Sequence, residues 1–121
     1  SPLHLAALKG DWRLTANLLK RETDVDVRDG HSRAPLHYAA ARGHREVVTL
    51  LLKRGASIDA RDGNGATPLY LAALGGHAAG VALLLQQGAD PRARAGDGSQ
   101  PVHAAARSGS RQAVELLLQR G

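Results

Sequence analysis

The chain has 121 residues, 43% of them apolar, and carries sixteen Lys and Arg against eleven Asp and Glu, a formal charge of +5. The absence of cysteine excludes a disulfide framework, a thiolate metal site and a cysteine nucleophile. With only Trp12, Tyr38 and Tyr70 as aromatics and no Phe or Met, the core must be built from Leu, Val and Ala.

No apolar run approaches the roughly 18 residues that a membrane-spanning helix needs, and no signal-like segment opens the chain; the lack of cysteine suits a reducing compartment, so an intracellular protein, cytoplasmic or nuclear, is the expectation. The lack of any methionine and the abrupt Ser1-Pro2 opening suggest a piece of a longer chain.

The predicted elements recur at one interval. Pro2, Pro35, Pro68 and Pro101 stand 33 residues apart, as do Gly10, Gly43, Gly76 and Gly109, and the pairs Leu18-Leu19, Leu51-Leu52, Leu84-Leu85 and Leu117-Leu118. Residues 34–66 aligned with 67–99 share 16 identities in 33 positions without a gap. A repeat of this length is the signature of a stacked architecture.

The first unit, about 1–28 and partial, starts a helix at Ser1-Pro2 and a second near Trp12, a residue expected to cover the unit by packing rather than to make a second contact. Glu22 occupies the slot held by Gly55, Gly88 and Gly121, which predicts a strained or differently shaped helix end. In the second unit, 29–61, Pro35 suits a first helical position and Leu36, Ala39 and Ala40 form a short apolar face ending at Gly43. From Arg45 the residues Val47, Val48, Leu51 and Leu52 follow a helical period, with Lys53 and Arg54 where the dipole favours cations and Gly55 as a left-handed cap. Turn formers follow, Asp62-Gly63 and Asn64-Gly65 being hairpin signals.

The third unit, 62–94, repeats this pattern but places Gly80 inside its outer helix, at a cost of about 1 kcal/mol relative to alanine, which predicts the loosest of the four outer helices. The fourth, 95–121, is again partial. Ser1 and Thr67 precede their prolines, whereas Ala34 and Gln100 take the same slot, so two helix starts lose a capping hydroxyl.

The stretch DGNGATPLYLAALGGHAAGVALLLQQGADPRA at 62–93 resembles the ankyrin repeat, and the resemblance extends over the whole chain. It implies an all-α repeat solenoid: one domain of stacked helix-turn-helix units with β-hairpin-like connecting loops. Two helices this short cannot bury their apolar face alone, so neighbouring units must cover it.

Candidate sites divide accordingly. His4, His37 and His103 share one slot, with Tyr70 filling it in the third unit, and the resemblance implies that they order the hairpin and helix start; no metal, cofactor or small-molecule substrate is expected. No hydrolase, zinc-protease or phosphate-loop motif is present, and the Asp residues recur with the loop period, so no enzyme is expected.

Binding is the remaining class. The resemblance implies partners on the concave face, and its hairpin-tip and inner-helix slots give Leu8, Lys9, Arg28, His31, Arg33, Ala41, Arg42, Arg61, Asn64, Leu74, Arg94, Asp97 and Arg107 as partner-binding residues. Arg28, Arg61 and Arg94 are expected to form a ladder of guanidinium groups, although the adjacent Asp29 and Asp62 offer partial neutralisation and a solvated surface remains the plainer reading. The expected partner is an acidic protein or peptide segment engaged by arginine and anchored beside Leu8 and Leu74, with the fragment monomeric. Basic-surface binding of nucleic acid or anionic lipid is the competing class, disfavoured by the lack of stacking aromatics on this face. A structural or regulatory arm of a larger enzyme, adaptor or channel is a third.

Overall fold

The computed structural model describes every residue except 22, 23 and 121. Among the described residues eight helices make four antiparallel pairs: α1 Pro2–Lys9 with α2 Trp12–Lys20, α3 Pro35–Ala41 with α4 Arg45–Lys53, α5 Pro68–Leu74 with α6 Ala78–Gln86, and α7 Pro101–Ser108 with α8 Arg111–Arg120. The odd-numbered helices stack into an inner layer and the even-numbered into an outer one. No strand occurs among the described residues.

The 33-residue period becomes columns of side chains that bury one another between units. Leu3, Leu36 and Leu69 line one column, and Leu51, Leu84 and Leu117 another; all six are shut off from solvent. Between them Ala6, Ala39, Ala72 and Ala105 keep the inner helices close. Alanine suits this layer because it presents little bulk where two helix backbones approach and has the best helix propensity. Each fully buried leucine contributes roughly 1.5 to 3 kcal/mol.

Helix starts follow two chemistries. Ser1 Oγ and Thr67 Oγ1 accept from the amides of His4 (3.4 Å) and Tyr70 (3.2 Å). Ala34 and Gln100 supply no side-chain cap. There the histidine three residues on reaches back instead: His37 Nδ1 accepts from Ala34 N at 3.0 Å and His103 Nδ1 from Gln100 N at 2.9 Å. The expected loss of a hydroxyl cap is therefore partly offset by the ring.

Helix ends turn on left-handed glycines. Gly55 and Gly88 have φ of +88° and +96°. The expectation for the Glu22 slot lies outside the described residues. At the hairpin tips the left-handed slot is filled by Gly65 and Gly98, but in the second unit by Ser32 at φ +57°. A side chain in that conformation costs roughly 1 to 2 kcal/mol.

Gly80 is buried in α6, yet a Cβ there would meet only His77 Cβ at 3.7 Å and Ala72 Cβ at 4.0 Å, ordinary contact distances. Gly80→Ala is expected to stabilise the chain by about 1 kcal/mol through helix propensity and a less flexible unfolded state. Urea denaturation checks this, and the α6 amides of the parent should exchange faster than those of Val47 to Leu52.

Candidate functional site

The loops that join the pairs project as hairpins, the first two closed by an aspartate and the third by an alanine, with successive tips locked together. Asp29 and Asp62 donate their backbone N–H to the carbonyls of Arg33 and Ala66, and Ala95 repeats this with Ser99. Asp62 Oδ1 accepts from the amides of Asn64 and Ala66, both at 2.9 Å. Successive tips touch through the backbone, Gly63 N donating to His31 O at 2.9 Å and Gly96 N to Asn64 O at 2.8 Å. Glycine is required at this approach: a Cβ on Gly63 would lie 3.0 Å from His31 O, and one on Gly96 2.8 Å from Asn64 O.

The histidine column is a set of braces. His37 is fully buried; because Nδ1 accepts an amide, Nε2 carries the proton and donates to Ala60 O at 2.9 Å and Ala66 O at 3.1 Å. His4 Nε2 donates to Arg33 O at 2.8 Å in the same way, and Tyr70 meets Ser99 Oγ at 2.8 Å. His44 and His77 point backwards, donating to Leu8 O at 3.0 Å and Ala41 O at 2.9 Å. Each ring is thus committed to a neighbouring unit. Among the described residues no group of three or more His, Asp or Glu is placed to hold a metal ion.

The arginine ladder has a second occupation. Arg28 Nη1 donates to Ser32 O in its own hairpin and to Arg61 O in the next, both at 2.7 Å. Arg61 does the same with Gly65 O at 3.2 Å and with Arg94 O. Arg94 holds Gly98 O at 2.7 Å. Arg28 and Arg61 thus stitch consecutive hairpins together and Arg94 closes its own, so reversing their charge disturbs the scaffold as well as any partner.

The adjacent aspartates do not neutralise them as anticipated. The Asp29 carboxylate folds back onto its own loop, accepting from the amides of His31 (2.9 Å) and Arg33 (3.0 Å) and from the Tyr38 hydroxyl. Asp62 pairs with Arg33 Nε at 3.2 Å. Arg33 in turn lies over the Tyr38 ring, 5.6 Å from its centroid.

The remaining candidates spread along the inner surface. Lys9, Arg42 and Arg107 stand exposed at the ends of the inner helices, Leu8 and Ala41 are half-buried, and Leu74 is 43% exposed. His31, Asn64 and Asp97 are exposed at successive hairpin tips. Asp97 is held below the ordinary carboxylate range chiefly by the Ser99 side chain and amide.

Arg33, Asn64, Leu74 and Asp97 border a groove of about 570 Å³ on the third unit. Its lining also includes Ala66, a hairpin slot, together with Tyr70 and Leu71, which slot-by-slot reading missed. The signal lay in the alignment: where the second unit has Arg33 and Tyr38, the third has the smaller Ala66 and Leu71. Trp12, at the start of the first outer helix, is 48% exposed, with the Arg13 guanidinium 5.3 Å from its ring centroid.

No helix among the described residues is long and apolar enough to cross a membrane. No curated protein matches the chain. A family model described as ankyrin repeats (many copies) matches residues 3–52, 36–84 and 78–118. With four helix pairs, hairpin-like loops and a match running across nearly all its length, the chain belongs to the ankyrin repeat family.

Proposed function

We propose that this repeat stack is a non-catalytic protein-interaction module, acting as a monomer inside the cell, that takes an acidic partner segment on the concave face formed by its inner helices and hairpin tips. The observation that supports this reading is the row of exposed cations on the inner layer, Lys9, Arg42 and Arg107, none of which is drawn into the stitching that occupies Arg28, Arg61 and Arg94. Cations left outside the scaffold are available for charge-assisted hydrogen bonds to carboxylates, and arginine offers them in a bidentate fork.

The test is charge reversal on that row. Lys9→Glu, Arg42→Glu and Arg107→Glu combined is expected to weaken binding of a short glutamate-rich peptide by about tenfold or more at moderate salt, a modest loss per exposed contact. Circular dichroism should be unchanged because these side chains are exposed. Undiminished peptide binding by the folded triple variant would overturn the reading. So would preference of the parent for duplex DNA or anionic vesicles over the peptide, with a steep salt dependence.

A further inference from the structure

The third unit differs from the second in a way that creates a hollow. In the second unit the Arg33 guanidinium lies over the Tyr38 ring, 5.6 Å from its centroid. The corresponding residues one repeat later, Ala66 and Leu71, are both smaller, and the groove of about 570 Å³ opens there. Leu74, 43% exposed, stands on its rim where the second unit has Ala41.

The charge around the hollow is uneven. On the side of the first two units stand the exposed Lys9 and Arg42, whose slot is bare in the third unit at Gly75. Arg33 closes the wall on that side with a third of its side chain open to solvent. On the other side the tip of the fourth unit presents the exposed Asp97, which the Arg107 charge already faces, where earlier units have His31 and Asn64.

We infer that the hollow is an anchor pocket for one aliphatic side chain of the bound segment, and that it fixes the direction of that segment. The acids of the partner then lie over Lys9 and Arg42, the aliphatic residue sits on Leu71 and Leu74, and no acid faces Asp97. The apolar side chains Leu71 and Leu74 and the polar groups of Arg33, Asn64 and Asp97 line the same groove, so an aliphatic side chain can bury against the leucines while the polar groups orient the chain that carries it. Like charges brought together at Asp97 would cost binding, which supplies the directional bias. The inference rests on the acidic-partner reading but asks more of the partner than acidity.

A phage-displayed random-peptide library panned on the whole chain tests it. The expected result is a set of peptides sharing one aliphatic residue with acids on one flank only. Ala66→Arg with Leu71→Tyr, which writes the second unit's residues into the third, should weaken the best such peptide by about tenfold or more, the scale of one buried aliphatic side chain. Leu74→Gln, at an exposed position that poses no folding risk, should weaken it in the same direction. Recovered peptides that are acidic but share no aliphatic anchor would overturn the pocket while leaving the charge reading standing. Retained affinity in both variants would also overturn the pocket. Failure to recover acidic peptides at all would remove both.

Discussion

His37→Leu is expected to cost about 3 kcal/mol of folding stability, although leucine nearly matches the histidine in bulk and the site is closed to solvent. The loss comes from hydrogen bonding. The ring accepts from Ala34 N and donates to the carbonyls of Ala60 and Ala66, so leucine orphans one buried donor, Ala34 N, and one buried acceptor, Ala60 O, while Ala66 O keeps the Asp62 amide. Each orphaned group carries a desolvation penalty of roughly 1 to 3 kcal/mol, part of which relaxation recovers. The control is His103→Leu in the same column. His103 is exposed and bonds only the Gln100 amide, so its loss should be under about 1 kcal/mol. Equal losses at both positions in urea denaturation would sink the bracing role.

The same residue gives the chain a pH dependence. Burial holds His37 below its ordinary value of 6.5, outweighing the carbonyls of Ala66 and Ala60 and the charge of Asp62, which favour the protonated ring. The unfolded chain therefore takes up a proton more readily than the folded one below about pH 6.5. By linkage, this contribution is full above 6.5 and declines as the pH falls toward the folded value. The aspartates act lower down. Burial by itself would raise Asp29, but hydrogen bonds from Tyr38 and from the Arg33 and His31 amides bring it to about 2. Asp62 is lowered likewise by Ala66, Asn64 and Arg33 against its burial. Their stabilisation is full above the ordinary 3.8 and is lost only as the pH drops from there. Thermal midpoints should thus fall between pH 6.5 and 4 in the parent and fall less in His37→Asn.

The fold was legible because every structural demand is stated several times in the chain. Proline at each inner-helix start, glycine at each tight turn and the leucine columns recur at 33 residues, so a chance feature is easily told from a required one. The site was less legible, since a slot names a position and not what the side chain does there. Arg28 and Arg61 occupy hairpin slots, yet their guanidinium groups reach the backbone of the following unit. A carbonyl acceptor leaves no trace in sequence, because any residue supplies one.

The second large effect is expected at Gly43, where the turn and the interface between units meet. Gly43 has φ +73°, and a Cβ there would stand 2.7 Å from His77 Nδ1. That ring cannot simply move aside, because its Nε2 donates to Ala41 O at 2.9 Å. Gly43→Ala therefore combines left-handed strain of roughly 1 to 2 kcal/mol with loss of about 1 kcal/mol from the displaced hydrogen bond, for a total of about 2 to 3 kcal/mol. Gly55 separates the two contributions. Its φ is +88° but nothing lies within 4 Å of a Cβ, so Gly55→Ala should show the strain alone. A double-mutant cycle sharpens this further: with His77→Ala in the background, Gly43→Ala should cost no more than Gly55→Ala, because the ring it would strike is gone. Additive losses would mean that the two residues act independently. The Gly10 and His44 pair repeats the geometry one unit earlier, with a Cβ 2.6 Å from the ring and Nε2 on Leu8 O at 3.0 Å. These glycines let each histidine reach the inner helix behind it, and that reach sets the spacing of the surface on which Lys9, Arg42 and Leu74 stand.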